Sequence, residues 1–127
     1  MRIALDTNRY VDLCRDEAEA VAVVETAAEV ILPFVVVAEL RAGFSAGSRG
    51  ADNERVLRRF LSKPGVAVSY ADEATSHQYA MVYRQLRQQG TPIPTSDMWI
   101  AALVLQHGLT LCARDRHFDR LPQIPRV

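Results

Sequence analysis

Four short apolar runs, Ile3–Leu5, Val30–Leu32, Val66–Val68 and Leu109–Cys112, are separated from one another by segments with helical character. Strand-length runs alternating with helices demand crossover connections. That restricts the chain to an α/β fold with a central, mainly parallel β-sheet flanked by helices. Its 127 residues are expected to form a single domain spanning residues 1–127. With 49% hydrophobic and 24% charged residues, the composition lies far from that of a disordered chain.

The first run ends in the polar turn Asp6-Thr7-Asn8, which opens a helix at Tyr10–Leu13, and residues 17–29 are Ala- and Glu-rich and favour a second helix. Signals conflict after Pro33. Phe34–Val37 is rich in β-formers, whereas Ala38–Ala42 favours a helix with a stop at Gly43, and propensity alone leaves both open. A Gly/Ser loop is expected over residues 43–50, then a helix whose apolar face is Val56, Leu57, Phe60 and Leu61 and whose outer face is basic. Tyr79, Val82, Tyr83 and Leu86 mark the buried stripe of a further helix that stops at Gly90. Thr95 and Ser96 offer capping hydroxyls to a nearly all-apolar, hence central, helix that runs to about His107, and Ile124–Val127 suits a last edge strand.

Net charge is zero but unevenly spread: residues 1–40 carry eight acids and three bases, residues 41–127 seven acids and twelve bases. The basic later part suits an anionic partner such as RNA, as does the preference for arginine over lysine, although genomic base composition explains the latter equally well. Cys14 and Cys112 have no partner at zinc or redox spacing and read as packed, reduced thiols. The apolar run before Asp6 is too short for a signal peptide, and Met98–Leu105 is too short to span a bilayer, so no membrane association and a cytoplasmic location are expected.

Chemistry concentrates in four carboxylates. Asp6 and Asp115 follow the two runs expected at the centre of the sheet, and sites in open parallel sheets lie beyond the carboxyl ends of the strands. Glu39 sits in a largely apolar stretch and Asp97 in the first turn of the central helix. Singly, each has an ordinary explanation: a turn residue, a helix-dipole acid, an exposed helix position. If they converge, their repulsion requires a divalent cation or a ring of basic donors; no matching cluster of bases is evident, and all-oxygen ligands select Mg²⁺ or Mn²⁺, the usual ions of phosphodiester hydrolysis. His77, His107 and His117 share no metal-ligand spacing and are expected at the surface or as caps. Asp119 is a possible additional acid near the rim. Ser45 and Ser48 lack a phosphate-loop context.

The order Leu5-Asp6-Thr7-Asn8, Val37-Ala38-Glu39-Leu40, Pro94-Thr95-Ser96-Asp97-Met98-Trp99 and Arg114-Asp115-Arg116-His117-Phe118 closely resembles the PIN-domain ribonucleases, and among them the VapC-type toxins of toxin–antitoxin pairs. The resemblance covers essentially the whole chain. It implies Mg²⁺- or Mn²⁺-dependent endonucleolytic cleavage of RNA, often tRNA, homodimerisation, and inhibition by a co-expressed antitoxin. It makes Asp6, Glu39, Asp97 and Asp115 an acidic metal-binding tetrad and Asn8 a polar partner that orients it, and it assigns residues 34–42 to a helix. Two positions depart from the family pattern. Ala113 stands where many relatives have Thr or Ser beside the metal site. Arg9 replaces a more often apolar residue, and would either approach the phosphate path or point to solvent.

Two other classes compete. A PIN-fold protein with impaired chemistry, acting by RNA or partner binding, is favoured only by Ala113. A receiver-type phosphotransfer domain needs a second acid near Asp6 and a later lysine. Asn8 stands two positions after Asp6, and Lys63 is the only lysine.

Overall fold

A computed structural model describes residues 1–127. Strands β1 (Arg2–Leu5), β2 (Glu29–Pro33), β3 (Val66–Ser69) and β4 (Thr110–Cys112) form one sheet in the order β3-β2-β1-β4, and every neighbouring pair is parallel. Ala4 is paired with Ile31 on one side and Leu111 on the other. The expected α/β architecture is thus the observed one. Only β1 of the two strands expected at the centre is central in this sheet, and β4 lies at its edge. Outside β4 the C-terminal segment makes a single parallel bridge, Leu111 to Arg126, in place of the expected strand. The Leu111 amide donates to the Pro125 carbonyl at 2.8 Å and the Val127 amide to the Leu111 carbonyl at 3.0 Å.

Six helices connect and cover the strands: α1 (Thr7–Cys14), α2 (Ala18–Thr26), α3 (Phe34–Ala46), α4 (Gly50–Leu61), α5 (Glu73–Gln89) and α6 (Thr95–His107). Ile3, Ala4 and Leu5 are all fully buried, so β1 is covered on both faces, which explains its unbroken apolar run. Helix α6 buries Met98 and every residue from Ile100 to Val104, as its all-round apolarity predicts.

The conflict after Pro33 resolves as a helix because burial period outweighs propensity. Val36, Val37 and Leu40 fall on one buried face of α3, a spacing that a strand cannot satisfy. Contrary to expectation, α3 passes through Gly43 and ends at Ala46, so the loop contracts to Gly47–Arg49. Phe44, packed against the core, repays a helical glycine at position 43. The next helix then starts close by. A Cβ on Gly50 would meet the Phe44 carbonyl oxygen at 2.6 Å, so only glycine fits there.

Other expectations need correction. The N-cap of α6 is Pro94, with no side-chain cap; Thr95 and Ser96 already lie inside the helix, where their hydroxyls cannot reach its free amides. Helix α5 instead carries a capping box between Asp72 and Thr75, and Gln106 of α6 donates to Asp72 at 2.9 Å, joining the two helices. On the α5 stripe Val82 and Leu86 are buried, but Tyr83 is 47% exposed, its hydroxyl accepting from Arg87. Tyr79 stacks on Trp99 at 4.3 Å between centroids. On α4, Leu57 and Phe60 are buried while Val56 is exposed. Cys112 is buried, whereas Cys14, at the end of α1, is exposed. No helix is long and apolar enough to cross a membrane.

Candidate active site

Strands β1, β2 and β3 are laid down in one direction, and β4 then returns to the far side of β1. The crevice between the carboxyl ends of β1 and β4 is therefore the topological switch point, where α/β sheets bind ligands. Asp6 and Asp115 stand at those two ends.

Asp6 is the N-cap of α1 and accepts the Arg9 amide at 2.8 Å. It is nonetheless buried, 5% exposed, and its pKa is pushed up to about 6. Burial is the main cause; the charges of Asp115 and Asp97 add to it, and the Arg9 amide opposes it. Asp97, in the first turn of α6, is also raised, again first by burial, then by Asp115 and against a hydrogen bond from His117. Asp115 caps a short 3₁₀ turn, Arg116–Arg120, by accepting the His117 amide at 2.9 Å. The His117 ring then folds back between two acids, with Nδ1 2.8 Å from Asp97 Oδ2 and 3.1 Å from Asp115 Oδ1.

Glu39 sits apart from this cluster. Between the buried Val37 and Leu40, the helical turn directs it outward, so the apolar surroundings expected from sequence do not enclose it. It accepts the Thr7 hydroxyl at 3.1 Å, and Thr7 follows Asp6, which places Glu39 at the rim beside the turn that carries Asp6. Asn8 is exposed and makes no side-chain hydrogen bond; Thr7 is the residue of that turn that touches a tetrad carboxylate.

Sequence reasoning missed three residues. His117 is the first, expected at the surface and found against two of the candidate acids. Its two-residue offset from Asp115 was the available signal, because a tight turn there returns the ring to the carboxylate. The others are Asp12 and Arg114. Asp12 is buried and receives a fork from Arg114, Nε to Oδ2 at 2.9 Å and Nη2 to Oδ1 at 3.2 Å, which with Arg9 holds its carboxyl below the usual range. This pair ties the chain beside Asp115 to the helix capped by Asp6. Arg9 meets neither expectation: its side chain is 13% exposed and is engaged by Asp12, Glu17 and Glu19. Asp119 pairs with Arg126 and touches none of the four acids. Arg126 also donates to the carbonyls of Ala113 at 2.8 Å and Asp115 at 3.1 Å, fixing by the backbone the segment where Ala113 lacks a hydroxyl.

No Lys or Arg forms an ion pair with Asp6, Glu39, Asp97 or Asp115; His117 is the one basic side chain in contact with the set. Asp6 and Asp97 are raised first by burial, and the neighbouring acids raise them further. The donor set, carboxylate oxygens with one imidazole nitrogen, fits a small divalent cation.

A parallel sheet of order 3-2-1-4 with acids at the switch point defines the class: residues 3–124 match the PIN domain, and the chain belongs to that family. Among individual proteins it is 28% identical over 90 residues to Ribonuclease VapC4 of Mycobacterium tuberculosis, covering 71% of this chain and 69% of that one. The fold superimposes on the VapBC2 structure from Rickettsia felis with a TM-score of 0.88 and 24% identity, covering 100% of this chain and 98% of that one. FitAcB of Neisseria gonorrhoeae gives 0.76 at 27% identity, with 98% and 95% covered.

Proposed function

We propose that the chain is a metal-dependent endoribonuclease, the toxin of a toxin–antitoxin pair, that hydrolyses phosphodiester bonds in tRNA or another structured RNA. The observation that carries the reading is the meeting of Asp97, Asp115 and His117 within 4.8 Å, beside the buried Asp6, at the switch point of the sheet. The similarity to a VapC ribonuclease and to toxin–antitoxin complexes supports the same activity and a protein antitoxin. By family resemblance the chain acts as a homodimer, and its substrate places its action in the cytoplasm.

In this reading Asp6, Asp97 and Asp115 hold Mg²⁺ or Mn²⁺, and Glu39 closes the set from the rim, held by Thr7. An ion held there would lower the pKa of a bound water and offset charge on the phosphate. The residues of the chain supply placement. The Arg9 amide and the Asp6 carboxylate fix one side of the crevice, and Arg114 on Asp12 fixes the other relative to it. Arg116, exposed next to Asp115 and free of any ion pair, is available to the RNA backbone.

The test is cleavage of labelled tRNA by the wild type and by Asp97→Asn with Mg²⁺ or Mn²⁺. Loss of at least about a hundredfold in the variant is expected, in line with removal of a principal electrostatic element of a site. Equal cleavage by both proteins would sink the assignment.

A further inference from the structure

His117 has no part in the four-acid set, yet its ring occupies the space between two members of it. Ligands about 2.0–2.1 Å from an octahedral ion lie roughly 2.8–3.0 Å apart along a shared edge. Nδ1 stands 2.8 Å from Asp97 Oδ2 and 3.1 Å from Asp115 Oδ1, each close to such an edge, and one ligand atom from each of the three residues lies within 4.8 Å of the others. Resting on the metal-site reading above, we propose that His117 is a direct nitrogen ligand of the ion, and that the site therefore selects a transition-metal dication such as Mn²⁺ over Mg²⁺.

The ring is placed by the fold. Its own amide is fixed on Asp115, and the next residue, Phe118, is 1% exposed and anchors the turn in the core. The side chain itself is 38% exposed, which leaves an approach for an ion from solvent. No other base competes for Asp97 or Asp115. An imidazole nitrogen is a donor that transition-metal dications accept readily and Mg²⁺ poorly, while the carboxylates suit both Mg²⁺ and Mn²⁺. A mixed oxygen and nitrogen set therefore shifts the preference. On binding the ion the ring gives up its hydrogen bond to Asp97 and is neutral, its one proton then on Nε2 and the Nδ1 lone pair toward the ion.

The experiment titrates Mn²⁺ and Mg²⁺ separately into the wild type, His117→Ala, His117→Gln and Asp97→Asn by calorimetry, and records pulsed electron paramagnetic resonance of the Mn²⁺-loaded proteins. The wild type should bind Mn²⁺ more tightly than Mg²⁺ and show hyperfine coupling from a bound imidazole nitrogen. Both His117 variants should lose that coupling and about tenfold in Mn²⁺ affinity, the lower end of what altering a metal's surroundings costs, with Mg²⁺ affinity nearly unchanged. Glutamine fills the space of the ring, so a folded protein is available even if alanine perturbs the turn. Asp97→Asn should weaken both ions. If the wild type shows no nitrogen coupling, or the His117 variants keep its Mn²⁺ to Mg²⁺ ratio, while Asp97→Asn still loses both ions, His117 is not a ligand and the acidic site stands. A wild type that binds neither ion overturns both readings.

Discussion

Asp6 is the residue at which stability and chemistry pull in opposite directions. Its pKa, about 6 in the fold, lies above the ordinary carboxylate value of 3.8, so the folded state holds the proton more tightly than the unfolded chain does. Its contribution is therefore greatest below about pH 4 and is lost as pH rises through 6, by up to about 3 kcal/mol in the absence of metal. Asn removes the buried charge and remains a good N-cap. Metal-free Asp6→Asn is thus expected to be more stable than the wild type at pH 7.5 by about 1–3 kcal/mol, and equal to it near pH 4. Urea unfolding with chelator at the two pH values checks this, and a less stable variant at pH 7.5 would contradict it. Asp6 and Asp115 were legible as candidates because one directly follows an apolar run and the other comes three residues after one, and Asp97 because it opens an apolar helix. The contact of His117 with Asp97, 20 positions away, and that of Asp12 with Arg114, 102 positions away, were not legible, since no local pattern encodes such contacts; only the two-residue offset of His117 from Asp115 could be read locally.

At the scale of elements, the acids are only as well placed as the ends of the segments that carry them. Helix α6, which holds Asp97, stops at Gly108 in the left-handed region, φ 61°, where an added Cβ would meet nothing within 4 Å. The penalty for Gly108→Ala is then one of backbone conformation alone, about 1 kcal/mol, with Asn less costly. Urea midpoints of the three proteins should fall in the order Gly, Asn, Ala, while RNA cleavage at a permissive temperature stays unchanged. Strand positions and the end of α6 were readable because apolar period and glycine both mark them. The end of α3 was misread since Gly43 is a stop only when nothing beyond it packs, and Phe44 does. The start of α6 was misread for a related reason: two hydroxyl residues suggested a cap, but Pro94 had already set the backbone that precedes the helix.

For the whole molecule, the alternation of strand and helix sufficed for a parallel α/β sheet, but not for strand order. Whether β4 returns to the centre or the edge depends on which face each crossover covers, a property of the assembled core. The return beside β1 is what gathers the acids, so the proposed ion acts on the global equilibrium as well as on chemistry. An ion that binds only the folded chain adds about 2.7 kcal/mol at a hundredfold over its Kd, several degrees in Tm for a domain of this size. Adding Mn²⁺ should raise Tm by that order above pH 6, where Asp6 is ionised, and markedly less at pH 5. Chelation should abolish both the rise and RNA cleavage. A Tm indifferent to Mn²⁺ at pH 7.5 would count against an ion at the switch point.

That one carboxylate both caps α1 and faces the other acids has a genetic consequence. Aspartate and asparagine codons differ by a single base, so under the proposed activity one nucleotide separates the chain from a copy that lacks this carboxylate. Such a copy keeps its helix cap and sheds the buried charge, so it is expected to stay folded.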